Sequence, residues 1–155
     1  MKSNEDSPKV IALPPFIFLG GIIAGFIVDW FFPMPFIPEE YDVPIGVLFI
    51  LLAVAHMVWA VRTFGKAGTN VDPRQPSLRI VSGGPYRFTR NPMYVSMALI
   101  VVGFAVWLNS LWILAALAVV LVVMTYGVIM REEAYLEKKF GRAYLDYKGK
   151  VRRWI

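Results

Sequence analysis

The sequence predicts an all-α polytopic membrane protein, with four transmembrane helices followed by a C-terminal segment of cytoplasmic amphipathic helices, in one integral membrane domain over 1–155. Composition is the first ground. Of the 155 residues, 57% are hydrophobic and 17% charged, too few charges to cover a water-facing surface. Second, four apolar stretches, 13–32, 44–64, 92–108 and 110–130, approach the roughly 20 residues that a helix needs to cross a bilayer. Third, the 16 Lys and Arg residues fall in three places. Lys2 and Lys9 precede the first stretch, Arg62, Lys66, Arg74, Arg79, Arg87 and Arg90 cluster around the link between the second and third, and the rest follow Met130. The connections at 33–43 and around Asn109 contain no Lys or Arg. The positive-inside rule therefore puts both termini and the central loop, 65–91, on the cytoplasmic side of an inner membrane.

The first stretch reads as a retained span. Glu5 and Asp6 precede it, it opens with Pro14-Pro15, and it lacks a small-residue cleavage site. Gly21 and Gly25 form a Gly-x-x-x-Gly pattern suited to close helix packing, within the chain or in a homodimer. Asp29 lies near the outer end, within reach of the interface. The second stretch carries His56, the one histidine, about two turns from Arg62. An ionisable group at that depth is either a functional residue or a donor to a neighbouring helix. Trp59, Trp107, Trp112 and Trp154 fit interfacial belts.

The third stretch has a marked beginning. Gly83-Gly84-Pro85 allows a tight turn, Asn91 is a favoured N-cap, and Pro92 suits the first helical position. A helix N-terminus at the membrane edge favours an anion, and Arg87 and Arg90 add positive charge beside it. After the fourth stretch, Arg131-Glu132-Glu133 follows Met130 with no spacer. Adjacent residues of a helix point about 100° apart, so one acid at most faces the bundle squarely, and Glu133 is the choice. A helix then ends at Gly141 as C-cap, and a short second one carries Tyr144 and Tyr147.

Several classes are excluded or disfavoured. With no cysteine there is no disulfide, thiolate catalysis or Cys-ligated metal, and no metal site is expected. The net charge of +5 does not indicate nucleic acid, because no basic run stands free of the apolar segments. Juxtamembrane cations instead attract anionic membrane lipid, at about 1 kcal/mol each. A cationic helix N-terminus and a carboxylate pair on one side of the membrane match a ligand with a carboxylate or phosphate and an ammonium. S-adenosylmethionine is such a ligand, and so is a zwitterionic lipid headgroup.

Gly-Pro-Tyr-Arg, Thr-Arg-Asn-Pro-Met-Tyr, a later Arg-Glu-Glu and Phe-Gly-x-x-Tyr-x-x-Tyr occur in that order. Over about 65–147 this pattern resembles the isoprenylcysteine carboxyl methyltransferases and the related phospholipid methyltransferases. The resemblance implies an S-adenosylmethionine pocket formed by the central loop, the last helical hairpin and the C-terminal helix. Carried over by position, Gly84, Tyr86, Arg90, Asn91, Pro92, Tyr94, Glu132 and Glu133 hold the cofactor. Arg87 or Arg90 positions an anionic acceptor, and Glu133 acts as base toward an amine. Eukaryotic isoprenylcysteine enzymes typically have histidine where this chain has Asn91, which does not titrate near neutrality. The acceptor implied is lipophilic: an isoprenylcysteine-like carboxylate, another small lipophilic acid, amine or thiol, or a phospholipid amine. The rival readings are an NADPH-dependent membrane reductase, for which no Gly-x-Gly-x-x-Gly motif is present, and a non-enzymatic membrane subunit.

Overall fold

The computed structural model describes residues 7–72 and 75–155. Lys2 and Arg74, two of the bases used for the orientation, lie outside the described residues, as do Glu5 and Asp6. The fold is all-α, and among the described residues it contains no strand, only an isolated bridge between Thr89 and Arg152.

Helix α1 (Pro14–Phe31) starts on proline at its first turn, where a missing N–H costs nothing. Helix α2 (Glu39–Lys66) begins five residues before the apolar stretch at 44–64. Glu39, Glu40 and Asp42 occupy its first turns and complement the helix dipole. Much of the acidic connection is therefore helix. At 28 residues, α2 is about 42 Å long and outreaches the hydrocarbon. Helix α3 (Pro92–Trp107) and α4 (Leu111–Met124) form a hairpin. A π-helical turn (Thr125–Ile129) then leads directly into α5 (Met130–Phe140), so the fourth span and the carboxylate segment form one rod. Gly141, at φ +54°, breaks that rod before α6 (Arg142–Lys148).

Among the described residues, three helices are long and apolar enough to cross a membrane: Pro14–Phe31, Glu39–Lys66 and Leu111–Phe140. The fourth of the expected spans, α3, has 16 residues and is shorter than one full crossing. It nevertheless runs between the same two ends of the bundle. Tyr94 in its first turn reaches Glu132, and Trp107 in its last touches Gly46 near the start of α2. Leu51, Leu52, Val119 and Val122 are all more than half exposed, which suits a hydrocarbon solvent and not water.

Glycine sets the helix spacing. A Cβ on Gly46 would lie 2.6 Å from the Trp107 backbone nitrogen, and one on Gly25 2.6 Å from Ile113 Cα, so α2 packs on α3 and α1 on α4 at backbone contact. Gly21 likewise faces Val120. The Gly21/Gly25 face therefore packs on α4 of the same chain. The core joining the pairs comprises Phe18, Val101, Ala105, Ile113, Leu117 and Met124 with their neighbours. At the far end, Asn109 at φ +48° accepts from the Phe36 and Ile37 amides at 2.9 and 3.1 Å, tying the two connections together.

Both chain ends brace the other end of the bundle. The Ile11 amide donates to Gly127 O at 3.3 Å, and Arg131 Nη1 donates to Lys9 O at 3.0 Å. Gly127, without a Cβ, makes room for the Ile11 side chain. The C-terminal tail folds back, and Trp154 Nε1 donates to Thr125 Oγ1 at 3.2 Å while its ring packs on the core. Trp154 is therefore a tail anchor.

Candidate active site at the loop end of the bundle

Four segments converge at the end of the bundle that carries the long loop: the start of α1, the loop itself, the first turn of α3, and α5 with α6. They enclose a cavity of about 540 Å³, within the range of small-molecule sites. Gly84 opens a short 3₁₀ turn (Gly84–Arg87) at φ +55°, pressed so closely on α2 that a Cβ would lie 2.7 Å from Thr63 Oγ1. That turn buries Tyr86 against Phe64, their rings 5.4 Å apart. Tyr147 on α6 donates to Tyr86 O at 2.7 Å and closes α6 over the turn.

The two adjacent acids have different surroundings, although both line the cavity. Glu133 is 5% exposed. Arg153 binds it in a fork, Nε to Oε1 at 2.9 Å and Nη2 to Oε2 at 2.8 Å; Arg90 Nη2 adds a contact at 2.9 Å and Lys148 Nζ one at 3.8 Å. Lys148 also pairs closely with Glu137. Glu133 is the more buried of the two by side-chain exposure, and its charge is already matched by the chain's own cations. Its hydrogen bonds hold the Arg153 guanidinium above its ordinary pKa. Glu132 has no cation beside it among the described residues and accepts from the Tyr94 hydroxyl at 2.6 Å.

Several predicted site residues have other work. Asn91 occupies the N-cap position without capping; its Nδ2 donates to Arg153 O at 2.8 Å. The first turn of α3 is thus left without a side-chain cap, and Asn91, Pro92, Met93 and Tyr94 line the cavity there. Arg90, 8% exposed at its side chain, links Glu133 to Lys148 O at 3.2 Å, while its amide donates to Arg152 O at 2.9 Å. It is a clamp between the loop, α5 and the tail, with its charge paired to Glu133 and its buried Nε without a partner among the described residues. Arg87 and Gly84 do not line the cavity. Arg87 is exposed and lies over the Phe88 ring at 5.2 Å. His56 is also outside it. Its Nδ1 bonds Ser96 Oγ at 2.8 Å, and Ser96 Oγ donates to Pro92 O at 3.0 Å, so the histidine joins α2 to α3.

Sequence reasoning did not single out the loop residues Asn70, Ser77 and Arg79, the phenols of Tyr135, Tyr144 and Tyr147 as cavity walls, or the apolar wall of Pro8, Leu13 and Pro14. Burial raises the pKa of Tyr86 and of Tyr144, and pushes Tyr147 up to about 12 although Arg90 partly offsets it. These phenols stay neutral at physiological pH. The signal for α6 was present in the Tyr144-x-x-Tyr147 spacing, which puts both rings on one helix face.

The model of the phospholipid methyltransferase family matches residues 41–143, about two thirds of the chain. The chain belongs to the phospholipid methyltransferase family. By family, then, it is a membrane methyltransferase. The matched region runs from the first turns of α2 to the start of α6 and includes the loop, the α3 turn and both acids. The wall formed by residues 8–15 and the tail that holds Glu133 lie outside it. An uncharacterised protein of Haemophilus influenzae is 48% identical over 64 residues, which are 41% of this chain and 100% of that protein. No solved structure matches the chain at a significant level.

Proposed function

We propose that this member of the phospholipid methyltransferase family uses S-adenosylmethionine to methylate a lipophilic acceptor at the cytoplasmic face of the inner membrane. The observation that carries the reading is Glu132: a cavity-lining carboxylate, oriented by Tyr94 and without a cation among the described residues, beside the uncapped N-terminus of α3. The chemistry of this donor set fits the cofactor. A carboxylate and tyrosine faces attract an ammonium or sulfonium, a helix N-terminus favours a carboxylate, and Asn70 and Ser77 offer polar groups to a nucleoside. When bound, S-adenosylmethionine supplies an electrophilic methyl group on a sulfonium. The chain contributes orientation and exclusion of water. The apolar wall of Pro8, Leu13, Pro14, Met97 and Ile129 suits hydrocarbon next to the reacting group.

A phospholipid amine is the acceptor that the family match favours. Such an amine must lose a proton before it can attack, and Glu133, held by two arginines, is not free to take it. The positions of the bases support the orientation, with the loop end facing the cytoplasm and four crossings between. Thermal unfolding of the purified protein tests the reading: S-adenosylmethionine and S-adenosylhomocysteine raise Tm and NADPH does not. Stabilisation by NADPH alone, or by none of the three, overturns it. Incubation with labelled donor and a membrane lipid extract then identifies the acceptor.

A further inference from the structure

Among the described residues, two basic side chains line the cavity, and they differ sharply in partnership. Arg90 is buried in the clamp around Glu133. Arg79 is exposed and makes no hydrogen bond or ion pair with any described residue. The acids show the same contrast, since Glu133 is enclosed by cations and Glu132 has none. Asp72, the other acid on the wall, has a partner of its own.

Arg79 is also held in place by its neighbours on both sides. Two residues before it, the Ser77 amide donates to Tyr135 OH at 3.2 Å, fixing the loop to α5, the helix that carries Glu132. Two residues after it, Val81 is buried with Ala60 and Tyr86. The backbone that presents Arg79 is thus anchored to the same elements that build the cavity. One unmatched cation and one unmatched anion face a largely apolar space from different walls, which is the charge pattern that a zwitterion complements. A guanidinium is suited to gripping a carboxylate or phosphate through two parallel hydrogen bonds.

We propose that Arg79 binds the oxyanion of the cavity's ligand, either the carboxylate of the methyl donor or the phosphate of a phospholipid acceptor, while Glu132 takes the cationic end. The inference rests on the methyl-transfer reading above and names a binding residue for that site. Binding constants measured by titration calorimetry on the full chain in detergent test it. The ligands are S-adenosylhomocysteine, methylthioadenosine, which lacks the amino-acid end, and a short-chain phosphatidic acid.

If the donor's carboxylate is the partner, Arg79→Gln weakens S-adenosylhomocysteine about tenfold or more, leaves methylthioadenosine unchanged, and Arg79→Lys recovers part of the loss. If the phosphate is the partner, the same loss appears with phosphatidic acid and not with S-adenosylhomocysteine. Unchanged Tm in Arg79→Gln separates either result from misfolding. Equal binding of both ligands by variant and wild type, or binding of neither by wild type, overturns the proposal. A wild type that binds phosphatidic acid through Arg79 but no S-adenosylhomocysteine defeats the methyl-donor reading and leaves Arg79 assigned to phosphate.

Discussion

Replacing Glu133 and Glu132 separately by glutamine produces opposite outcomes if the two acids work as their surroundings indicate. Glu133→Gln removes the negative charge from a site where Arg90 is 8% and Glu133 6% exposed at the side chain, with Arg153 and Lys148 beside them. Little water reaches the Arg90 guanidinium, so its charge is left uncompensated. Breaking a buried pair by removing one partner costs about 3–5 kcal/mol. For a chain of this size that lowers Tm by roughly 6–20 °C. Because the fork from Arg153 also fixes the tail, Asn91 loses its carbonyl partner and the first turn of α3 loosens with it. Glu132→Gln keeps an oxygen for the Tyr94 hydroxyl and breaks no ion pair among the described residues, so stability changes by no more than about 1 kcal/mol. It nevertheless abolishes stabilisation by S-adenosylmethionine. The assay is a thermal melt of each variant in detergent, with and without S-adenosylhomocysteine. A Glu133→Gln protein as stable as wild type, or a Glu132→Gln protein that keeps full ligand stabilisation, would falsify the division of labour.

Three further outcomes follow from the packing and the electrostatics. Arg87→Ala, which removes an exposed side chain outside the cavity, leaves S-adenosylhomocysteine affinity within about twofold of wild type; a larger loss in calorimetry refutes the placement. Gly46→Val drives a side chain into the Trp107 backbone and destabilises the α2–α3 pair by about 1–3 kcal/mol. Gly65→Ala, with nothing within 4 Å of its Cβ, serves as the neutral control in the same melts. Tyr147 titrates at about 12 in the folded protein against 10.0 as its reference. Its neutral form is the one the fold prefers, so its contribution to stability is complete below pH 10 and is lost as pH rises toward 12. Tyr147→Phe should flatten that alkaline fall in Tm while lowering Tm at neutral pH through the lost bond to Tyr86 O.

The segment from Gly84 to Tyr94 shows how far the sequence could be read. Its turn residues and Pro92 marked a helix start, because glycine and proline restrict the backbone locally whatever surrounds them. What the side chains do there was not legible. Asn91 has the chemistry of a cap, but the returning tail offers its amide a carbonyl from Arg153, and the competing acceptor comes from 62 residues away. Arg87 and Arg90 look equivalent in one dimension. The turn sends one outward over Phe88 and the other into the Glu133 clamp. Gly21 and Gly25 announced close packing without naming the partner, which proved to be Ile113 and Val120 of α4.

The sequence by itself determined the all-α membrane architecture, the start of the third helix at Pro92 and the distribution of bases. Each of these depends on composition and local periodicity, which persist in any arrangement of the helices. Only the tertiary structure decided which acid is free. Glu132 and Glu133 are chemically identical neighbours, and the difference between them arises because the tail brings Arg153, and the loop brings Arg90, to one carboxylate and not to the other.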